Sequence, residues 1–124
     1  MSETALIVED NDNNMELISF ILKKNGYEVL KATRGIEGVE MAIEHLPAFI
    51  ILDIQLPDID GTEVARRIRD SKADDTIPII AMTSYAMLGD RESLLAAGCN
   101  GYIEKPINTA LVMQQIREVI GDKA

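Results

Sequence analysis

Four short apolar runs in this chain each end at polar side chains fit for chemistry, and that recurrence limits the fold more than any other feature. Ala5-Leu6-Ile7-Val8 runs into Glu9-Asp10, and Phe49-Ile50-Ile51-Leu52 runs into Asp53. Pro78-Ile79-Ile80-Ala81-Met82 runs into Thr83, and the weaker run Gly101-Tyr102-Ile103-Glu104 ends at Lys105-Pro106. Short apolar runs separated by helical patterns read as strands of a parallel sheet. The carboxyl ends of such strands share one edge, and ligands bind there. Three carboxylates, one hydroxyl and one ammonium are therefore expected to converge. That set suits a divalent cation together with a phosphoryl group on Asp53.

Strand and helix patterns alternate five times along the chain. A helix is predicted from about Asp12 to Asn25, closed by Gly26. Glu28 to Ala32 is a short strand with polar residues near its ends, as suits an edge. Gly35 to Leu46 is a helix stopped by Pro47. Asp60 caps the next helix, with Glu63 three residues on as in a capping box, and that helix runs to about Ser71. Met87 to Ala97 is helical and ends at Gly98. Asn108 caps the last helix, which carries Leu111, Val112, Ile116, Val119 and Ile120 on one stripe. A five-fold βα alternation implies a doubly wound α/β fold, with helices on both faces of a parallel sheet. Residues 1–124 form one domain, without a linker or repeat, and no second domain is expected to act as output. Met1 and the short tail after Gly121 favour a complete gene product.

Composition narrows the function. The net charge of −9 argues against duplex nucleic acid as a partner. The one basic cluster, Arg66, Arg67, Arg69 and Lys72, reads as a solvated helix face. The longest apolar run, Ala48 to Leu52, is far too short for membrane insertion, and no signal peptide is visible. Cys99 is the only cysteine, so no internal disulfide is possible and a cytoplasmic location is expected. Cys99 itself reads as a small residue at a helix end, His45 as a surface residue at another, and the methionines as core filler.

Magnesium takes oxygen ligands at about 2.0–2.1 Å and keeps several waters. Glu9, Asp10 and Asp53 supply enough carboxylate for it. Without a cation these groups repel one another and raise at least one pKa. With one, an incoming phosphoryl group can approach, and a carboxylate is a competent nucleophile towards it. Lys105 and the Thr83 hydroxyl are placed to hold phosphoryl oxygens.

The ordered set Ile7-Val8-Glu9-Asp10-Asn11, Leu52-Asp53-Ile54-Gln55-Leu56-Pro57 with Gly61, Met82-Thr83-Ser84, and Tyr102-Ile103-Glu104-Lys105-Pro106 resembles the receiver domains of bacterial two-component response regulators. The likeness covers nearly the whole chain and is nearest to stand-alone regulators of the DivK type and to receivers of hybrid kinases. It implies the flavodoxin-like, CheY-like fold with strand order 2-1-3-4-5. It implies that Asp53 accepts phosphate from a histidine of a sensor kinase or a histidine phosphotransfer protein. Mg²⁺ is then held by Glu9, Asp10, Asp53 and the main-chain carbonyl of Gln55. Lys105 binds the phosphoryl group and precedes a cis bond to Pro106. Thr83 and Tyr102 form the switch pair, Thr83 moving to the phosphoryl group and Tyr102 turning inward behind it. Glu9 stands where many members have aspartate, and its longer arm should still reach the metal.

Three further expectations follow. At about 100° per helical residue, Met15, Ile18, Ile21 and Leu22 form a core stripe on the first helix. Asn13, Leu17, Phe20 and Lys24 share a second stripe, and the resemblance implies that Asn13, Leu17 and Phe20 dock the phosphate donor. The resemblance also implies that Gln55 and Tyr85, two places after Asp53 and Thr83, flank the path of an attacking water and tune hydrolysis. The chain should act as a monomeric signalling module, catalysing only its own phosphorylation and slow dephosphorylation. A receiver excised from a hybrid histidine kinase is the alternative. A phosphatase of the haloacid dehalogenase kind is disfavoured because Gln55 stands where that family needs a second acid. A flavodoxin-like cofactor carrier is disfavoured because Glu9, Asp10 and Asp12 would repel a phosphate.

Overall fold

A computed structural model describes residues 3–71, 76–84 and 88–121. Five strands, β1 (Thr4–Val8), β2 (Glu28–Ala32), β3 (Phe49–Asp53), β4 (Ile79–Thr83) and β5 (Gly101–Glu104), alternate with five helices. The helices are α1 (Asp12–Lys24), α2 (Gly35–His45), α3 (Gly61–Asp70), α4 (Leu88–Ala97) and α5 (Val112–Ile120). Every strand pair is parallel, in the order β2-β1-β3-β4-β5. This is the expected doubly wound sheet, with β2 at one edge.

Side chains alternate across the strands and so feed two cores. Leu6, Val8, Ile50, Leu52, Ile79 and Ala81 pack with Ala42 of α2, Val64, Ala65 and Ile68 of α3, and Leu94 and Ala97 of α4. Ala5, Ile7, Phe49, Ile51, Ile80, Met82 and Ile103 pack on the other face with Met15, Ile18 and Leu22 of α1 and Val112, Met113 and Ile116 of α5. Full burial of one such aliphatic or aromatic side chain is worth roughly 1.5–3 kcal/mol. That explains why Ala5–Val8, Phe49–Leu52 and Ile79–Met82 are apolar throughout, whereas edge strand β2 keeps Glu28 and Lys31 in water.

Helix ends follow local chemistry with four differences. Asp60 caps α3 as expected, but its Oδ1 accepts from Thr62 N at 2.8 Å. The Glu63 carboxylate does not complete a capping box; it reaches forward to Arg67 at 3.0 Å and Arg66 at 3.6 Å, the neighbours one turn on. Asn108 Oδ1 does accept from Ala110 N at 3.0 Å, yet this caps a turn, and α5 begins only at Val112. The expected α5 stripe is accordingly incomplete, because Leu111 lies in that turn and is exposed, while Met113 is buried.

The third difference concerns the start of α2, where the Arg34 side chain makes no cap bond. Asp58, from the β3–α3 loop, takes that place by accepting Gly35 N at 2.7 Å and Ile36 N at 2.9 Å. The fourth is Arg69, which is not a solvated member of a basic face. Its guanidinium bonds Gly98 O at 2.9 and 3.1 Å and Asn100 Oδ1 at 2.8 Å, tying α3 to the α4–β5 turn. Gly98 has φ +111, and a Cβ there would meet Arg69 Cγ at 2.7 Å. Arg66 and Arg67 are exposed as expected, and Lys72 lies outside the described residues. Cys99 is buried, and that burial pushes its thiol up to about 11, as befits a packing residue.

Candidate functional site

Strand register builds the site. Val8 pairs with Leu52, so the residues that follow, Glu9 and Asp53, emerge side by side from the two central strands. Asp53 pairs with Met82 and Thr83 with Glu104, which brings the ends of β4 and β5 level with them. Lys105 N donates to Thr83 O at 2.8 Å and continues the ladder one residue past β5. The Lys105–Pro106 bond is cis.

Lys105 Nζ lies 3.1 Å from Asp53 Oδ1 and 3.6 Å from Glu9 Oε1. Backbone amides fix both acids: Gln55 N donates to Asp53 Oδ1 at 3.0 Å, and Asn11 N donates to Glu9 Oε2 at 3.1 Å. Carboxylate oxygens of Glu9, Asp10 and Asp53 all fall within 4.8 Å of one another. Glu9 and Asp53 are buried, whereas Asp10 is exposed. Burial, reinforced by the adjacent Asp53 carboxyl, pushes Glu9 up to about 7, against the lowering effect of the Asn11 N–H. Glu9 Oε1 is buried and, among the described residues, has no hydrogen-bond partner. An orphaned buried acceptor beside two more carboxylates is the donor set that a hard divalent cation satisfies. The glutamate arm does bring its carboxylate to the cluster.

Gly61 holds the loop after β3 close to the site. Its N donates to Ile54 O at 2.9 Å, and a Cβ there would stand 2.6 Å from Asp53 O and from Ile54 Cα. Thr83 is buried at the end of β4 and borders a cavity of about 420 Å³ with Gln55, Thr62 and Leu94. Tyr102 is half-buried on β5. Arg91 of α4 donates to its hydroxyl and sits 5.2 Å from its ring centroid. Tyr85 lies outside the described residues.

On α1, Met15, Ile18 and Leu22 are buried and Ile21 is half-buried. Ser19 is also buried there, which the apolar pattern does not reveal. Asn13 and Lys24 are exposed, Leu17 is half-buried and Phe20 is 66% exposed. Asp58 and Arg91 are the residues that sequence reasoning missed. An uncapped Arg34 was the one available hint of Asp58, and Arg91 left no local signal. His45 sits on the surface near Glu44.

Five parallel strands in this order, with acids and a lysine at their carboxyl ends, define a receiver domain. A family model described as the response regulator receiver domain matches residues 5–117, and the chain belongs to that family, a module of two-component signalling. The polar-differentiation response regulator DivK of Brucella ovis is 39% identical over 122 residues, covering 98% of this chain and 99% of that protein. The chemotaxis protein CheY4 of Vibrio cholerae superposes with a TM-score of 0.91 at 25% identity, over 96% of this chain and 99% of that one. The receiver domain of a sensor histidine kinase from Pseudomonas aeruginosa, solved with a magnesium ion coordinated in its active-site cleft, gives a TM-score of 0.88 at 36% identity, over 98% and 100% of the two chains. No described helix is long and apolar enough to cross a membrane.

Proposed function

We propose that Asp53 accepts a phosphoryl group from a phosphohistidine of a sensor kinase or histidine phosphotransfer protein in the cytoplasm. The observation that carries this is the convergence of Glu9, Asp10 and Asp53, with Lys105 Nζ 3.1 Å from the Asp53 carboxylate. An Asp53 oxygen forms the new bond to phosphorus, the P–N bond breaks, and its electron pair stays on the imidazole nitrogen. Glu9, Asp10, Asp53 and the carbonyl of Gln55 would hold Mg²⁺, which supplies charge neutralisation on the phosphoryl oxygens. Lys105 exchanges its pairing with Asp53 for one with a phosphoryl oxygen, and Thr83 donates its hydroxyl to another. The second stripe of α1, with Asn13, Leu17 and Phe20, docks the donor. An exposed phenylalanine on the helix that follows Glu9 and Asp10 supports that assignment.

Attachment of the phosphoryl group shifts a two-state equilibrium in which Thr83 moves towards it and Tyr102 turns inward behind it. Gln55 and Tyr85 are the residues assigned to tune hydrolysis, with Tyr85 slowing it. The test is labelling with acetyl phosphate and with a phosphorylated kinase, with and without Mg²⁺. Label should reside on Asp53 alone and require the metal. Label that persists in Asp53→Asn, or that forms equally well in excess chelator, overturns the assignment.

A further inference from the structure

We propose that the outer face of α2 is a second docking surface, fitted to a partner protein that presents an apolar stripe flanked by lysine or arginine. Ile36 and Ile43 are 47% and 41% exposed, although both are large aliphatic residues on a helix whose core face is already filled by Gly35, Gly38 and Ala42. At about 100° per residue, Ile36, half-buried Val39 and Ile43 share one stripe. Leu46 follows at the helix end and is 49% exposed.

Leu46 has φ 47 and ψ 61, in the left-handed region. Glycine and asparagine adopt that conformation readily, whereas leucine does so at a cost. A half-exposed side chain recovers little of that cost inside the fold. A leucine at this position gains most if something outside the domain covers it.

Charge selects the occupant. Glu37, Glu40 and Glu44 form an exposed acidic ridge immediately beside the apolar stripe. Glu37 accepts Thr33 N at 2.9 Å, and Glu44 lies 3.8 Å from His45 Nε2, a pairing that is ionic only when His45 is protonated. A second copy is a poor occupant, because an antiparallel two-fold pairing of α2 faces sets each acidic ridge against its equivalent. The chain's net charge of −9 adds to that repulsion. A basic, amphipathic partner has the complementary charge. Because α1 packs on the opposite face of the sheet, this surface and the proposed donor-docking stripe can be occupied together.

The experiment is an NMR titration of the full, isotopically labelled chain with a synthetic amphipathic leucine–lysine helical peptide, and with its leucine–glutamate counterpart. The leucine–lysine peptide should shift the amides of residues 35–46, and the leucine–glutamate peptide should not. Ile43→Glu and Glu40→Lys, both at exposed positions and checked by thermal melting, should each weaken Kd by about tenfold or more, and Phe20→Asp should leave it unchanged. Shifts centred on α1 or the acid pocket, equal binding of the two peptides, or an unchanged Kd in Ile43→Glu would overturn the proposal. So would a peptide-free dimer, seen by sedimentation, that Ile43→Glu abolishes, because the face would then belong to a second copy.

Discussion

Replacing Glu9 by glutamine should remove most of the neutral-pH instability of the metal-free domain. Glu9 is fully buried, and its carboxyl titrates near 7 against an ordinary value of 4.5. A folded-state pKa above the unfolded value adds stability that is complete below about 4.5 and is lost as pH rises through about 7. Each pKa unit is worth about 1.4 kcal/mol, so the metal-free protein should lose about 3 kcal/mol across this window. For a domain of this size that is roughly 10 °C in Tm. Asp58 does not confuse the measurement. The Ile36 and Gly35 amides lower it from 3.8 to about 2, so its contribution is complete above 3.8 and is lost only as pH falls through about 2. The assay is urea or thermal unfolding of the native chain and Glu9→Gln in excess chelator from pH 4.5 to 8. The two proteins should be nearly equal at the acid end, and the variant should be the more stable at pH 8. Mg²⁺ should recover stability in the native chain at pH 8 by binding the ionised cluster. A stability difference that does not change with pH would refute the reasoning, because it would mean that Lys105 at 3.6 Å already compensates the Glu9 charge.

Phe20→Asp should slow phosphotransfer from a cognate kinase while acetyl phosphate labelling stays normal; if both fall together, the side chain serves the fold and not docking. Gly61→Ala should destabilise the domain by about 1–3 kcal/mol and weaken Mg²⁺ binding, since a Cβ must displace the Asp53 carbonyl and the Ile54 backbone. Mg²⁺ titration alongside urea unfolding checks both halves, and native values in the variant would show that the loop yields freely. Tyr85→Ala should lose phosphate faster than the native chain, with labelling still dependent on Mg²⁺. An unchanged or slower decay would overturn that role for Tyr85.

The local pattern carried most of the architecture. Buried strands such as Phe49–Leu52, glycines that close helices at Gly26 and Gly98, and the Asp60 cap act over a few residues, so spacing along the chain encodes them. The acids at strand ends were legible for the same reason, since parallel strands place their carboxyl ends at one edge. What spacing cannot encode is the meeting of residues far apart in sequence. Asp58 reaches the α2 amides across 22 and 23 positions, and Arg69 reaches Gly98 and Asn100 across 29 and 31. Both contacts depend on how α2, α3 and α4 pack on one sheet face, and neither residue stands out in its own segment: Asp58 sits in an ordinary loop and Arg69 in an ordinary charged run. The late start of α5 has a similar origin, because Asn108 caps a turn and leaves Leu111 exposed. Sequence alone therefore determined which segments are strands and helices and which polar groups end them. Only the tertiary structure decided that Lys105 sits between Asp53 and Glu9 and that Glu9 is buried enough to titrate near neutrality. Secondary structure is selected by short-range sterics and apolar period, whereas desolvation and ion pairing arise only when the crossovers bring distant strand ends to one edge.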